Sequence, residues 1–249
     1  MLLKYLIYPL FLEINLCKIN IYSRNIYLLL MEFNYISLGF DCSTANALKG
    51  LNLRNCAYPF DWTDTNFKAF QQCILDNFKH FHKNLYLNKS KQHLIDHYGI
   101  QFLHDYPRLN SPKLMDGKYY PEYKICDDYE KYTDQVLEKY GRRIERFRNT
   151  MADKSMPLIV LYRGTYANAV QIKYILETTY MREHIIVIVA TKEHLEQQSR
   201  NQAVIACNPE INKIWNEIDI WKIAIENAKQ VYPILLIPPK IKRFAMKIW

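Results

Sequence analysis

What this chain has little of already narrows its reading. Its 249 residues include 6 Gly and 10 Pro, scattered rather than clustered, so no flexible linker or low-complexity tract divides it. Six cysteines, at Cys17, Cys42, Cys56, Cys73, Cys126 and Cys207, contain no C-x-x-C pair, which argues against a zinc knuckle or a thioredoxin-type centre. They are too sparse to staple a chain of this size, and free thiols in a reducing compartment are the simplest reading. No apolar run approaches the roughly 20 residues that a spanning helix needs. No G-x-G-x-x-G, Walker or Asp-x-Asp sequence occurs. The pairs His80/His82 and His93/His97 lack companion cysteines or carboxylates, and the second pair lacks the Glu of a zincin helix, so neither a metal nor another cofactor is expected.

What is present is ordinary for a globular protein, with 49% hydrophobic and 23% charged residues. That is enough for one sizeable core and does not demand two. The abundance of Tyr, Ile, Asn and Lys reads as genome composition. A net charge of +8 permits weak attraction to anionic partners. Its local gatherings are Arg142, Arg143, Arg146 and Arg148, and Lys240, Lys242 and Arg243. Neither stands beside a helix-turn-helix, zinc-finger or RNA-binding signature, so no specific nucleic-acid partner is expected. The composition and the lack of a spanning segment suit an intracellular protein of a bacterial or host cytoplasm.

Residues 1–30 read as a loose N-terminal extension. They are apolar but interrupted by Lys4, Glu13, Lys18 and Arg24, and the first clear strand follows Met31. Residues 31–249 read as a single α/β domain, mainly a parallel central sheet flanked by helices. Tyr35 to Gly39 is the first strand, a turn runs from Phe40 to Ser43, and Thr44 to Leu51 has helical spacing, with Asp41 or Ser43 as its cap. Cys56 to Trp62 suggests a short extended piece, Asn66 to Lys79 a helix, and Gly99 to His104 a strand. Asp105 to Tyr123 reads as a polar loop, and Asp127 to Met151 as a long amphipathic helix. Leu158–Tyr162, Asn168–Thr179 and Ile185–Ala190 alternate strand, helix, strand, the pattern of a parallel sheet. Val204 to Ala206 adds an edge strand, and Ile211 to Lys229 is mainly helical.

The run Ile36-Ser37-Leu38-Gly39-Phe40-Asp41-Cys42-Ser43-Thr44-Ala45, then Leu53-Arg54 and Tyr58-Pro59-Phe60-Asp61-Trp62, resembles a family of bacterial and large-DNA-virus proteins described as putative papain-like cysteine peptidases. Phe102-Leu103-His104-Asp105 agrees, as does Arg142-Arg143-Ile144-Glu145-Arg146-Phe147 with the strand ending at Tyr162-Arg163. The resemblance spans roughly Tyr35 to Arg163. It implies a thiol-dependent hydrolase or peptidase acting on protein or peptide substrates, with Cys42 and His104 as the reacting pair. It also implies a papain-like α+β fold as the alternative architecture, with the histidine on an antiparallel sheet.

The chemistry of the residues suits that role. A thiol at a helix N-terminus meets unpaired N–H groups and the positive end of the macrodipole, which would lower its pKa. The same donors could serve an oxyanion. Asp105, Asp61 and Asp116 are candidates to orient the imidazole, although Asp105 on a continuing strand would point to the opposite face. Trp62, Arg142 and Arg143 are candidates to touch substrate, against plainer readings of Trp62 as core and of the arginines as a solvated helix face. Other readings are a glycan or nucleotide-sugar enzyme, suggested by the parallel second half, and a non-enzymatic viral or host-interaction module. A flavodoxin-like esterase would need a late Asp-x-x-His, and His194, the last histidine, lacks it.

The sequence predicts that a protein starting at Met31 melts at the same temperature as the full chain. A fall of several degrees, or failure to obtain soluble truncated protein, would give residues 1–30 a structural role.

Overall fold

A computed structural model describes residues 32–115, 118–193, 203–207 and 218–235. It opens with the strand β1 (Asn34–Leu38), which turns through Gly39 into helix α1 (Ser43–Gly50). Next come β2 (Thr63–Asp64), helix α2 (Phe67–Leu75), and the short strands β3 (Tyr86–Leu87), β4 (Leu94–Ile95) and β5 (Gln101–Phe102). The strands β6 (Arg108–Met115) and β7 (Lys118–Ile125) precede the long helix α3 (Thr133–Ala152). Then follow β8 (Leu158–Arg163), α4 (Tyr166–Tyr180), β9 (Ile185–Ala190), β10 (Val204–Cys207) and α5 (Ile218–Leu235).

Four strands form a parallel sheet in the order β1-β8-β9-β10 with helices on both faces, a single α/β domain. The side-chain period of two sorts each strand between two cores. Leu158, Val160 and Tyr162 join Ile36, Leu38, Ile185 and Val187 on the face covered by α2, α3 and α4. Ile159 and Leu161 join Ile186, Ile188 and Ile205 on the face covered by α1 and α5, against Ala47, Leu48, Trp221 and Ile225. Burial on both faces is why Ile185–Ala190 is an unbroken apolar run rather than an alternating one. Capping places two helix starts. The Asn66 side chain accepts from Ala69 N–H at the start of α2, and Thr165 from Asn168 N–H at the start of α4. Arg182, just past α4, is buried and donates to the carbonyls of Thr150, Met151, Asp153 and Met156. It thereby serves orphan acceptors at the C-terminus of α3.

Several segments depart from the sequence reading. Cys56–Trp62 is a run of turns, and the strand β2 begins only at Thr63. The Asp105–Tyr123 region is not a loop: Arg108–Met115 and Lys118–Ile125 pair as an antiparallel ribbon with Pro112 opposite Pro121. A proline lacking its N–H costs no ladder bond where its nitrogen faces out of the ribbon. A 3₁₀ turn at Tyr129–Tyr132 precedes α3, and α5 runs from Ile218 to Leu235; residues 211–217, like residues 1–30, Asp116, His194 and the Lys240–Arg243 cluster, lie outside the described residues. A second sheet, β2-β5-β4-β3, is antiparallel, so the antiparallel element of the alternative architecture exists beside the parallel core. The five described cysteines are free thiols. No helix among the described residues is long and apolar enough to cross a membrane.

Ile186 is fully buried at the centre of the sheet. Ile186→Asp should cost about 4 kcal/mol, read as a lower urea midpoint, because it strands a charge between the sheet and its covering helices. An unchanged midpoint would take this strand out of the core.

Candidate functional site

Two sheets meet at one turn. Gly39 ends β1 where a Cβ atom would lie 2.3 Å from the Phe60 carbonyl oxygen and 2.8 Å from that of Thr63. Only glycine permits so close an approach. The Gly39 carbonyl accepts from Thr65 N–H at 3.0 Å, which docks β2 against the end of the parallel sheet. Thr63 then pairs with Phe102 of β5, two residues before His104. By this route the antiparallel sheet carries the imidazole to the start of α1, where Cys42 is the N-cap residue. Cys42 Sγ and His104 Nε2 lie 3.3 Å apart. The thiol is 6% exposed, whereas His104 is open to solvent.

The surroundings of the thiol overturn one expectation from the sequence. The Ser43 N–H, the first donor of α1, is taken by the Asp41 carboxylate at 2.8 Å, and the other Asp41 oxygen is paired with Arg163 at the end of β8. Burial, followed by the negative charges of Asp41, Asp105 and Asp64, pushes the Cys42 thiol up to about 11. That direction is opposite to the lowering expected from the helix N-terminus. Burial and the Arg108 guanidinium in turn lower His104. Both directions favour the uncharged forms of the pair, thiol and neutral imidazole. The raised thiol adds to stability fully below the ordinary thiol range, and this contribution is lost as pH rises through about 11.

The candidates for orienting the ring are held elsewhere. Asp61, 1% exposed, accepts from Ser37 Oγ at 2.6 Å, Arg54 Nη2 at 2.9 Å and Tyr58 N–H at 3.0 Å. Its acceptor capacity is spent on fixing the Tyr58–Trp62 turn. Asp105 turns towards α3, where it is paired with Lys139 and accepts from Tyr140 Oη at 2.8 Å. Among the described residues, no carboxylate hydrogen-bonds to the His104 ring, and the contact of that ring with Cys42 stands without a third group. Asp105 still acts on that ring through its charge, which partly opposes the lowering by burial. No group of three potential metal ligands gathers among the described residues.

Trp62 is not core. It is half-buried, turns edge-on to His104 with ring centroids 6.3 Å apart, and has the Arg54 guanidinium 5.3 Å from its ring centre. Phe60, by contrast, is fully buried among Phe70, Phe78, Phe81 and Phe147. Trp62, His104, Asp105, Lys139 and Arg143 line a cavity of about 320 Å3. Arg142 borders a neighbouring cavity of about 460 Å3 that also includes His104, and it is paired with Glu138. Sequence reasoning missed Lys139, Asp64 and the Asp41–Arg163 pair. Asp41 had a signal as a capping residue next to the cysteine, and Arg163 as the end of a strand in the family blocks.

A family model described as putative papain-like cysteine peptidase matches residues 33–201. No curated protein and no solved structure matches the chain.

The carboxylates around Cys42 generate a pH prediction. Asp64→Asn removes one negative charge that opposes thiolate, so the midpoint of the pH profile for Cys42 alkylation should move down by about half a pH unit. A midpoint unmoved or displaced upward would show that these charges do not govern the thiol.

Proposed function

We propose thiol-dependent acyl transfer to water, from the premise that the chain belongs to the family described as putative papain-like cysteine peptidases. In the terms of that family, the substrate is a protein or peptide. The observation that carries the reading is the 3.3 Å contact between Cys42 Sγ and His104 Nε2, a distance over which a proton can pass directly.

A neutral pair works by general-base catalysis rather than from a stored ion pair. Nε2 must be the unprotonated nitrogen, so the tautomer required carries its proton on Nδ1. As Sγ attacks the substrate carbonyl, the C–S bond forms, the carbonyl electron pair moves to oxygen and the thiol proton passes to Nε2. Collapse of the tetrahedral intermediate breaks the bond to the leaving amine, which departs with that proton. The resulting thioester is cleaved by a water that gives its proton to Nε2; the second collapse releases the acid and returns the proton to the Cys42 sulfur. Keeping the thiol protonated at rest also protects it from adventitious electrophiles. Arg163 and Asp41 hold the turn on which the thiol sits, and the β2–β5 pairing holds the ring.

The test is capture of the acyl intermediate. Incubation with p-nitrophenyl acetate should place one acetyl group on the peptide containing Cys42, read by mass spectrometry. Cys42→Ala should abolish that adduct while the circular dichroism spectrum is unchanged. His104→Ala should slow its formation by about 10²–10⁴-fold, the usual worth of a positioned base. Acylation at another residue, or an undiminished rate in His104→Ala, would sink the mechanism.

A further inference from the structure

The wall of α3 beside His104 carries more positive charge than its own partners use. Lys139, Arg142 and Arg143 stand at i, i+3 and i+4, on one side of the helix. Lys139 is tied to Asp105 and Arg142 to Glu138. Among the described residues Arg143 has no carboxylate partner: its guanidinium lies 4.9 Å from the centre of the Tyr140 ring, and its Nη1 is buried without a hydrogen-bond partner. A buried donor of that kind is costly to leave unmade, and guanidinium N–H groups suit the two oxygens of a carboxylate. The cavity it borders offers no spare acceptor charge, since Asp105, the one carboxylate among its lining residues, is committed to Lys139 and Tyr140.

We infer that Arg143 anchors a carboxylate of the acyl substrate in this cavity, with Trp62 as its apolar side and His104, the partner of Cys42, in its wall. The substrate class is an acyl donor bearing a carboxylate, from an acidic side chain or a free C-terminus. The inference rests on the reading of Cys42 and His104 as the reacting pair. A volume of about 320 Å3 suits one small acidic residue rather than a long segment.

Two alkylating reagents separate this inference from the reading beneath it. Iodoacetate carries the carboxylate and iodoacetamide does not, and both report on the same sulfur. At pH 8 and low salt, the iodoacetate-to-iodoacetamide rate ratio at Cys42 should exceed that at Cys56 by about fivefold. Arg143→Met, which retains an apolar stem against Tyr140, should bring the ratio down to that of Cys56. Arg146→Met, which removes one charge from the same helix outside the cavity, should leave the ratio high. In the wild-type protein, acetylglycine or acetyl-aspartate amide should protect Cys42 from iodoacetate, whereas acetylglycine amide should not. Protection by the first points to a C-terminal carboxylate, and by the second to an acidic side chain. A ratio unaffected by Arg143→Met, an equal fall in Arg146→Met, or no protection by either carboxylate would overturn the anchor. Iodoacetamide labelling of Cys42 that is identical in wild type and His104→Ala would instead overturn the reacting pair.

Discussion

A single buried carboxylate, that of Asp61, organises the region from which the candidate site is built. It joins Ser37 on the first strand to Arg54 and to the Tyr58 backbone. A charge so far from water persists only when its oxygens are fully engaged, and breaking such a set is far costlier than never having built it. The turn it secures puts Phe60 among four other phenylalanines and brings the Phe60 carbonyl against Gly39. The turn bearing Cys42 is therefore defined from beneath by a hydrogen-bonded anion and from the side by an aromatic core. Ridding the site of Asp61 would remove the floor rather than a reagent.

Charge around the site is divided by direction. Asp41, Asp64 and Asp105 oppose ionisation of the sulfur, while Arg108 opposes protonation of the imidazole. Lys139, Arg142 and Arg143 stand together on the helical wall. A reaction in which negative charge develops on a carbonyl oxygen, away from the sulfur, is compatible with such a field. A resting ion pair is not. The antiparallel strands and the parallel sheet contribute separately: one carries His104, the other leads into the Cys42 turn, and Thr65 N–H to Gly39 O is the bond at their junction.

The parts of this arrangement legible in the sequence were those that obey a local period. β8 and β9 announce themselves as apolar runs because both their faces are covered, and α4 follows from the strand-helix-strand rhythm. The nearness of Cys42 to His104 was legible only through the order of family blocks, because 62 residues separate them and no short-range rule connects them. The β6–β7 ribbon was illegible because its prolines and lysines imitate a loop, and a two-stranded ribbon can tolerate both. The direction of the thiol pKa was out of reach for a different reason. Burial of the sulfur is the largest cause, the carboxylates that add to it come from three separate segments, and the helix-dipole argument sees only the one adjacent to the cysteine. Arg143 was legible only as one of two candidate arginines on a helix that reads equally as a solvated stripe, since spacing cannot tell which of them lacks an anion.

The parallel pairing of β1 with β8 joins Asn34 to Leu158 and Leu38 to Tyr162. Contacts of such long sequence separation carry a loop-closure penalty before they return any stabilisation. A chain leaving the ribosome cannot complete this pairing until β8 has been made, so β1, the Cys42 turn and the segment bearing His104 all emerge well before the sheet that seats them. Synthesis thus imposes a delay between the appearance of the Cys42 turn and the completion of the sheet whose first strand leads into it.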